Sequence, residues 1–390
     1  MGGFILNNDK KNKKIVEDSN YLNHGDTFHD SPDLLSINSD FQEMEEEAKP
    51  ANKKLTYFNF ALIIVIFIGL FIYMVTVDGL DNIIRVLHEV DYRWVLGGIG
   101  CLLLVWLCES FCLHLPLKSM YPNQRFSNSF KVSMLGQLFN NITPFSSGGQ
   151  PMQAYELTKT GKRVSDSLSA TAIKFIITQS ALVITTLVVV YFEFDFFANL
   201  MHDFVWLAIV GFAINILAII VVIIAGIKKR AITMITTPVI RFLGKIHLFK
   251  HPDHTIQKLD KSIDNFGNQF RYMKSKKKMV LMMFISATIQ SLAYYSITYM
   301  VYRAFGNTGI SFWQIIPVQA FLLLIMTFIP TPGSGLGAEG GFLLLFGSIF
   351  KNGTINMSIL FWRIYTFYLP IIIGSFFLIP SRKKQVGVGK

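Results

Sequence analysis

Residues 168–192 read LSATAIKFIITQSALVITTLVVVYF, an apolar run of 25 residues with a single charged side chain, Lys174. An α-helix rises 1.5 Å per residue, so a run of this length crosses the roughly 30 Å of hydrocarbon in a bilayer. Lipid offers no partner to backbone N–H and C=O groups, and a helix satisfies them within the segment. The run therefore predicts a membrane-spanning helix.

Similar runs recur along the chain. They are Tyr57–Val77, Trp94–Leu115, Phe204–Ile227, Met279–Val301 and Ile355–Ile379. A further apolar segment, Trp313–Phe350, is interrupted by Pro and Gly. Only 16% of the 390 residues are charged, whereas about a quarter are charged in soluble proteins. We predict an all-α polytopic membrane protein with about six transmembrane helices.

The ends of the chain differ in composition from its middle. Residues 1–54 are polar and lack an apolar leader, so we predict a disordered cytoplasmic tail. The alternative is a docking or regulatory arm. Residues 55–380 form the predicted transmembrane domain, and residues 381–390 form a second cytoplasmic tail. Within the domain, residues 228–278 are a basic cytoplasmic loop.

Charge placement predicts the orientation. Residues 228–278 hold thirteen Lys or Arg and three Asp, and basic loops stay cytoplasmic. The same assignment places residues 116–167 and both termini inside, and the loops near Arg93, Arg303 and Lys351 outside. Basic charge on short juxtamembrane loops also favours attraction to anionic lipid headgroups over nucleic acid.

Two Pro/Gly-rich stretches break apolar segments. Residues 143–151 read TPFSSGGQP and residues 330–341 read PTPGSGLGAEGG. The predicted topology requires the chain to be inside on both sides of the first stretch and outside on both sides of the second. Each segment is therefore predicted to be a re-entrant hairpin, and together they indicate an inverted repeat typical of transporters. Two unrelated helix kinks are the alternative.

A cation follows each breaker inside a membrane helix, Lys174 after the first and Arg363 after the second. Placing a cation there costs roughly 2.5–3.5 kcal/mol, so it normally faces a partner or a cavity, unless it reaches the nearby interface. We expect one cation near each leaflet, each able to hold an anionic headgroup. If the cations are ion-paired, Glu156 and Glu339 are the expected partners. Glu109 is expected at the membrane interface.

Five carboxamides crowd around the first breaker and indicate a polar site: Gln137, Asn140, Asn141, Gln150 and Gln153. The cysteines Cys101, Cys108 and Cys112 share one helix and are interpreted as membrane-core residues. No catalytic residue, metal site or cofactor is predicted.

Several motifs resemble the lysylphosphatidylglycerol synthase transmembrane-domain family, also called flippase-like domain proteins. They are NNITP (140–144), GGQP (148–151), AYEL (154–157), PTPGSGLGAE (330–339) and WRIYTFYLP (362–370). The resemblance covers about residues 55–380. This sequence departs mildly from the family motif at one place, where the usual Pro-Gly-Gly-x-Gly reads Pro-Gly-Ser-Gly. In the bacterial multiple peptide resistance factor, such a domain is joined to a cytosolic domain that lysinylates phosphatidylglycerol. We expect this chain to lack that catalytic domain.

The resemblance implies a protein of the bacterial cytoplasmic membrane that flips an anionic, aminoacylated or glycosylated envelope lipid, with a link to antibiotic resistance. Two alternatives stay open: a phosphatidylglycerol lysyltransferase, or a scaffold for an envelope-synthesis enzyme acting in trans. The expected partner is a phospholipid or glycolipid, and the oligomeric state stays open. The breakers, cations and motifs together give one candidate substrate-binding set: Lys174, Arg363, Asn140, Asn141, Thr143, Ser146, Gly148, Gly149, Gln150, Tyr155, Glu156, Thr331, Ser334, Gly335 and Glu339.

Overall fold

The computed structural model describes residues 90–144, 146–200, 205–227, 266–326, 335–351 and 353–378, with the single residues 68, 84, 88 and 264. These residues belong to one unit, Val65–Lys390. Four predictions lie outside the described residues: the tails 1–54 and 381–390, the run Tyr57–Val77 apart from Ile68, and most of the basic loop. Residues 330–334 of the second breaker lie outside them as well.

The described elements are helices joined by turns. They are α1 (Tyr92–Met120), α2 (Phe126–Ile142), α3 (Gly149–Lys159), α4 (Val164–Phe192), α5 (Phe194–Leu200), α6 (Val205–Ile227), α7 (Lys277–Ala304), α8 (Phe312–Met326), α9 (Gly335–Phe346), α10 (Ile355–Arg363) and α11 (Leu369–Phe376). A π-helical turn, Ile364–Tyr368, joins α10 to α11.

Four of the described helices are long and apolar enough to cross a membrane: α1, α4, α7 and the continuous helix Ile355–Phe376. Each matches a predicted run. Helix α6 covers the predicted run Phe204–Ile227 with 23 residues. The prediction of an all-α polytopic membrane protein is confirmed.

Hydrogen bonds at one end of the bundle bring the start of α1 to the end of α7. The amide of Asp91 donates to the carbonyl of Ala304 at 3.0 Å. Beyond α7, the amide of Lys351 donates to Oδ1 of Asn307 at 3.0 Å, and its ammonium donates to the carbonyl of Gly306 at 2.7 Å. The chain therefore enters the α8–α9 hairpin and leaves it at this same end.

A second group of contacts closes the opposite end of α1. The hydroxyl of Tyr121 donates to Oδ2 of Asp166 at 2.6 Å, and the amide of Arg163 donates to the Tyr121 hydroxyl at 3.2 Å. Burial, together with the hydrogen bond to Asp166, raises the pKa of Tyr121 to about 12, so the phenol remains a donor at neutral pH. The α2–α3 hairpin begins and ends here.

The two hairpins thus enter from opposite ends of α1, as the predicted inverted repeat requires. Helices α2 and α3 pack on each other, and so do α8 and α9. These contacts agree with the relative topology predicted from charge. Which end faces the cytoplasm stays a prediction.

The apolar core lies around α1, α7 and the second hairpin. It includes the rings of Phe342, Phe346 and Trp362, all almost completely buried. The phenol of Tyr365 donates to the carbonyl of Val95 at 2.9 Å and fastens the last helix to α1. This packing fixes the walls of an internal cavity.

Candidate functional site

A cavity of about 590 Å³ lies inside the bundle. Its walls come from α1 to α4, α6 to α8 and the last helix, Ile355–Phe376. The volume falls in the range of roughly 300–1,000 Å³ typical of ligand sites. Helices that line it are apolar on their outer faces, where Leu103, Leu107 and Leu187 are exposed. The cavity therefore places polar side chains inside a bundle whose outer faces are compatible with lipid.

Among the described residues, eight carboxamide side chains line this cavity. The five carboxamides predicted from the first breaker are all among them, and their role as a polar site stays a prediction. The remaining three come from α4, α6 and α7. The full set is Gln137, Asn140, Asn141, Gln150, Gln153, Gln179, Asn215 and Gln290.

A buried ion pair stands at one wall of the cavity. The ammonium of Lys174 on α4 lies 2.6 Å from Oε1 of Glu109 on α1, and the two side chains are 10% and 5% exposed. Lys174 also donates to Oε1 of Gln153 at 3.2 Å. The amides of Gln153 and Gln137 donate to the two oxygens of Glu109. Four helices, α1 to α4, therefore meet in one network.

A glycine makes room for this network. A Cβ atom built on Gly136 of α2 would lie 2.2 Å from Nε2 of Gln153 and 2.8 Å from its Cγ and Cδ. No side chain fits at that separation, so glycine lets the hairpin close tightly enough for Gln153 to reach Glu109 and Lys174.

The polar residues of the first breaker shape the turn between α2 and α3. Oδ1 of Asn140 accepts from the amide of Gly149 at 2.9 Å, at the start of α3. Oγ1 of Thr143 accepts from the amide of Gly148 at 2.8 Å. Ser146 has a φ of 50°, in the left-handed region that non-glycine residues rarely adopt. Since Ser146 and Gly149 also line the cavity, this turn forms part of its wall.

The second predicted cation, Arg363, lines the same cavity. It is 2% exposed, and its Nε lies 3.4 Å from Oε1 of Glu339 on α9. The guanidinium carbon is 5.1 Å from the ring centroid of Phe367 and 5.5 Å from that of Trp362. The π-helical turn follows directly, an irregularity often found at functional sites. Both cations thus line one cavity, whereas their distances from the two leaflets stay predictions.

Of the two predicted ion pairs, one is present and the other is not. Glu339 does pair with Arg363, but Glu156 pairs with Lys131 at 2.6 Å, away from the cavity. The prediction that Glu156 partners Lys174 is wrong because Glu109, on the facing wall of α1, lies closer to the ammonium.

Several other members of the candidate set do not line the cavity. Tyr155 is exposed and carries the ammonium of Lys159 4.3 Å from its ring centroid. Thr143 and Gly148 are hydrogen-bonded to each other within the turn, and Glu339 contacts Arg363. Gly335 begins α9, whereas Thr331 and Ser334 lie outside the described residues. The complete set stays a prediction.

Glu109 is the main residue that sequence reasoning missed. It was expected at the membrane interface, yet it is buried, at 4% exposure, against the cavity. A carboxylate inside an apolar helix is costly unless paired, and that cost is the signal that predicts a partner. The sequence did not reveal which cation would face it, since α1 and α4 are far apart in the chain.

Within the described residues, no group of three or more His, Cys, Asp or Glu side chains is placed to hold a metal ion. Cys101, Cys108 and Cys112 are free thiols. Cys112 packs in a core between α1, α4 and α7 and donates to the carbonyl of Met283. These contacts agree with the interpretation of the cysteines as core residues.

Comparison with known proteins identifies the family. Residues 60–374 match the family described as "Lysylphosphatidylglycerol synthase TM region". The chain belongs to this family. It is also similar to a UPF0104 membrane protein of Methanocaldococcus jannaschii, with 26% identity over 313 residues that cover 76% of this chain and 87% of the relative. A second UPF0104 membrane protein, from Methanothermobacter thermautotrophicus, is 25% identical over 298 residues, or 74% and 85% of the two chains.

The family match confirms the predicted resemblance and spans both hairpins with the cavity between them. Both relatives come from archaea, so the comparisons do not support the expectation of a bacterial source. Family membership shows a membrane domain of this type.

Proposed function

We propose that this protein moves an anionic lipid between the leaflets of the cytoplasmic membrane, with the lipid headgroup held in the cavity. The observation that carries the proposal is the pair of buried cations, Lys174 and Arg363, which line one cavity inside a bundle with apolar outer faces. Intramembrane cations mark substrate pathways because their burial is otherwise costly.

The Lys174 network suggests how a headgroup phosphate binds. In this structure the ammonium of Lys174 is paired with the carboxylate of Glu109. Gln137 and Gln153 donate hydrogen bonds to the oxygens of that carboxylate. A phosphate offers the same kind of charged oxygens, so it can replace Glu109 as the partner of Lys174. Release of the phosphate restores the internal pair. Glu109 would thus act as a built-in counter-ion that keeps the empty site stable and lowers the affinity for the lipid.

Arg363 provides a second contact for the anion. Its guanidinium has a planar fork that matches phosphate, whereas Lys174 is a compact point charge. The rings of Trp362 and Phe367 lie beside the guanidinium, with centroids 5.5 and 5.1 Å from its carbon atom. Because both cations line the same cavity, a headgroup bound there has two cationic side chains available to it.

Apolar residues on the outer faces of the helices support the placement of the acyl chains. Leu103 and Leu107 on α1 and Leu187 on α4 are exposed on helices that also line the cavity. The acyl chains can stay in lipid along such faces while the headgroup occupies the cavity. The family name, which refers to a phospholipid derivative, adds support for a lipid ligand.

Charge placement supports an orientation with both termini in the cytoplasm, because the loop at 228–278 is strongly basic. The lysyltransferase and scaffold alternatives stay untested predictions. The proposal is tested in proteoliposomes that contain phosphatidylglycerol labelled on an acyl chain with a dithionite-sensitive fluorophore, with and without an imposed proton gradient. We expect the protein to expose the inner-leaflet probe to dithionite. Protection equal to that in protein-free liposomes under both conditions would contradict the proposal.

A further inference from the structure

The cavity contains far more neutral hydrogen-bonding groups than charges. Among the described residues, eight carboxamides line it, against two cations and one carboxylate. A carboxamide offers two N–H donors and one carbonyl acceptor, and a hydroxyl is both donor and acceptor. Such a lining matches a headgroup that carries several hydroxyl groups. The rings of Trp106 and Tyr294 add flat apolar surface beside these polar groups.

The charges of the lining disfavour an aminoacylated headgroup. Such a headgroup adds ammonium groups, which need carboxylate partners when they leave water. Among the described lining residues Glu109 is the sole carboxylate, and it is already paired with Lys174. If phosphate displaces Glu109, one carboxylate is released. A lysyl group carries two amines, so one of its ammonium groups would still have no carboxylate partner among the described lining residues.

One lining residue has an unused acceptor. The side-chain oxygen of Gln290 on α7 is buried and has no hydrogen-bond partner among the described residues. A buried acceptor without a partner costs free energy, and a ligand that donates a hydrogen bond removes that cost. A hydroxyl donates such a bond, whereas a fully ionised phosphate has no hydrogen to donate.

We propose that the cavity recognises a polyhydroxylated headgroup, an inositol or a sugar joined to the lipid through phosphate, in preference to an aminoacylated one. The inference rests on the proposed function in taking the cavity as the headgroup site. The phosphate contacts the cations, and the ring hydroxyls contact the carboxamides. Sites built to bind hydroxyl groups discriminate strongly against analogues that lack them, because their polar groups are then left unpaired.

The test compares lipid binding to the purified full chain in detergent, measured as the dose-dependent rise of the unfolding midpoint. Phosphatidylinositol, phosphatidic acid and lysylphosphatidylglycerol with identical acyl chains are the probes. We expect phosphatidylinositol to bind about tenfold or more tightly than either other lipid. Equal or weaker binding of phosphatidylinositol, or binding of none of the three, overturns the inference.

A variant pair assigns the preference to the cavity. Gln290→Leu should reduce the ratio of phosphatidylinositol to phosphatidic acid affinity by about fivefold or more, since a hydroxyl loses its acceptor. Gln314→Leu, outside the cavity lining, should keep the ratio. An unchanged ratio in Gln290→Leu would refute the role given to that acceptor. Binding with the expected preference but without transport in proteoliposomes would leave this inference standing and refute the proposed function.

Discussion

Lys174 and Glu109 form an ion pair 2.6 Å long between α4 and α1, at the wall of a cavity inside the helical bundle. Gln153 of α3 contacts both partners, and Gln137 of α2 contacts the carboxylate. The pair therefore does two things at once. It neutralises a buried cation, and it fastens the first hairpin to two spanning helices.

The first prediction concerns stability. Lys174→Gln or Glu109→Gln alone should destabilise the protein by about 3–5 kcal/mol, because each leaves one buried charge without its partner. The double variant should recover most of this loss, since two neutral amides can still hydrogen bond. Unfolding midpoints in detergent measure the effect. Additive losses in the double variant would mean that the two side chains do not stabilise each other.

The second prediction concerns the fit of the first hairpin. Gly136→Ala should lower the unfolding midpoint, since its Cβ would collide with Gln153 and break the contact to Lys174. Gly100→Ala is the matched control, because a Cβ there meets no atom within 4 Å. Combining Gly136→Ala with Gln153→Ala should relieve the collision and recover part of the loss. If the two alanine substitutions have equal effects, the close approach is not important.

The third prediction concerns orientation. In a variant without native cysteines, a cysteine at Ser311 should react with an impermeant reagent in intact cells. A cysteine at Thr160 should react only after permeabilisation. Both positions are exposed and lie at opposite ends of the bundle, beyond α7 and between α3 and α4. The reverse labelling pattern would invert the predicted topology, whereas labelling of both from outside would refute it.

Much of the fold followed from local sequence patterns. The run 168–192 and its counterparts predicted α1, α4, α6, α7 and the last helix. A long apolar segment in lipid forms a helix because its backbone N–H and C=O groups must then bond to each other. Charge placement and the breakers predicted the inverted hairpins, which the contacts of Asp91 with Ala304 and of Tyr121 with Asp166 support.

The pairing of side chains could not be predicted in the same way. Lys174 stands 65 positions from Glu109 in the chain, and only the packing of α1 against α4 brings them together. Glu156 was closer to Lys174 in sequence, but it faces away from the cavity towards Lys131. Sequence showed that a buried cation needs a partner. Three-dimensional packing selected which carboxylate it is.

The most direct test of the central claim is lipid transport by two variants in the proteoliposome assay. Lys174→Gln combined with Glu109→Gln removes both charges of the cavity pair. Lys131→Gln combined with Glu156→Gln removes a pair with the same 2.6 Å separation outside the cavity. The account predicts that the cavity variant loses transport by about tenfold or more, because a neutral amide binds phosphate more weakly than an ammonium group does. The control should transport at the wild-type rate. Equal rates in the two folded variants would contradict a headgroup site at Lys174.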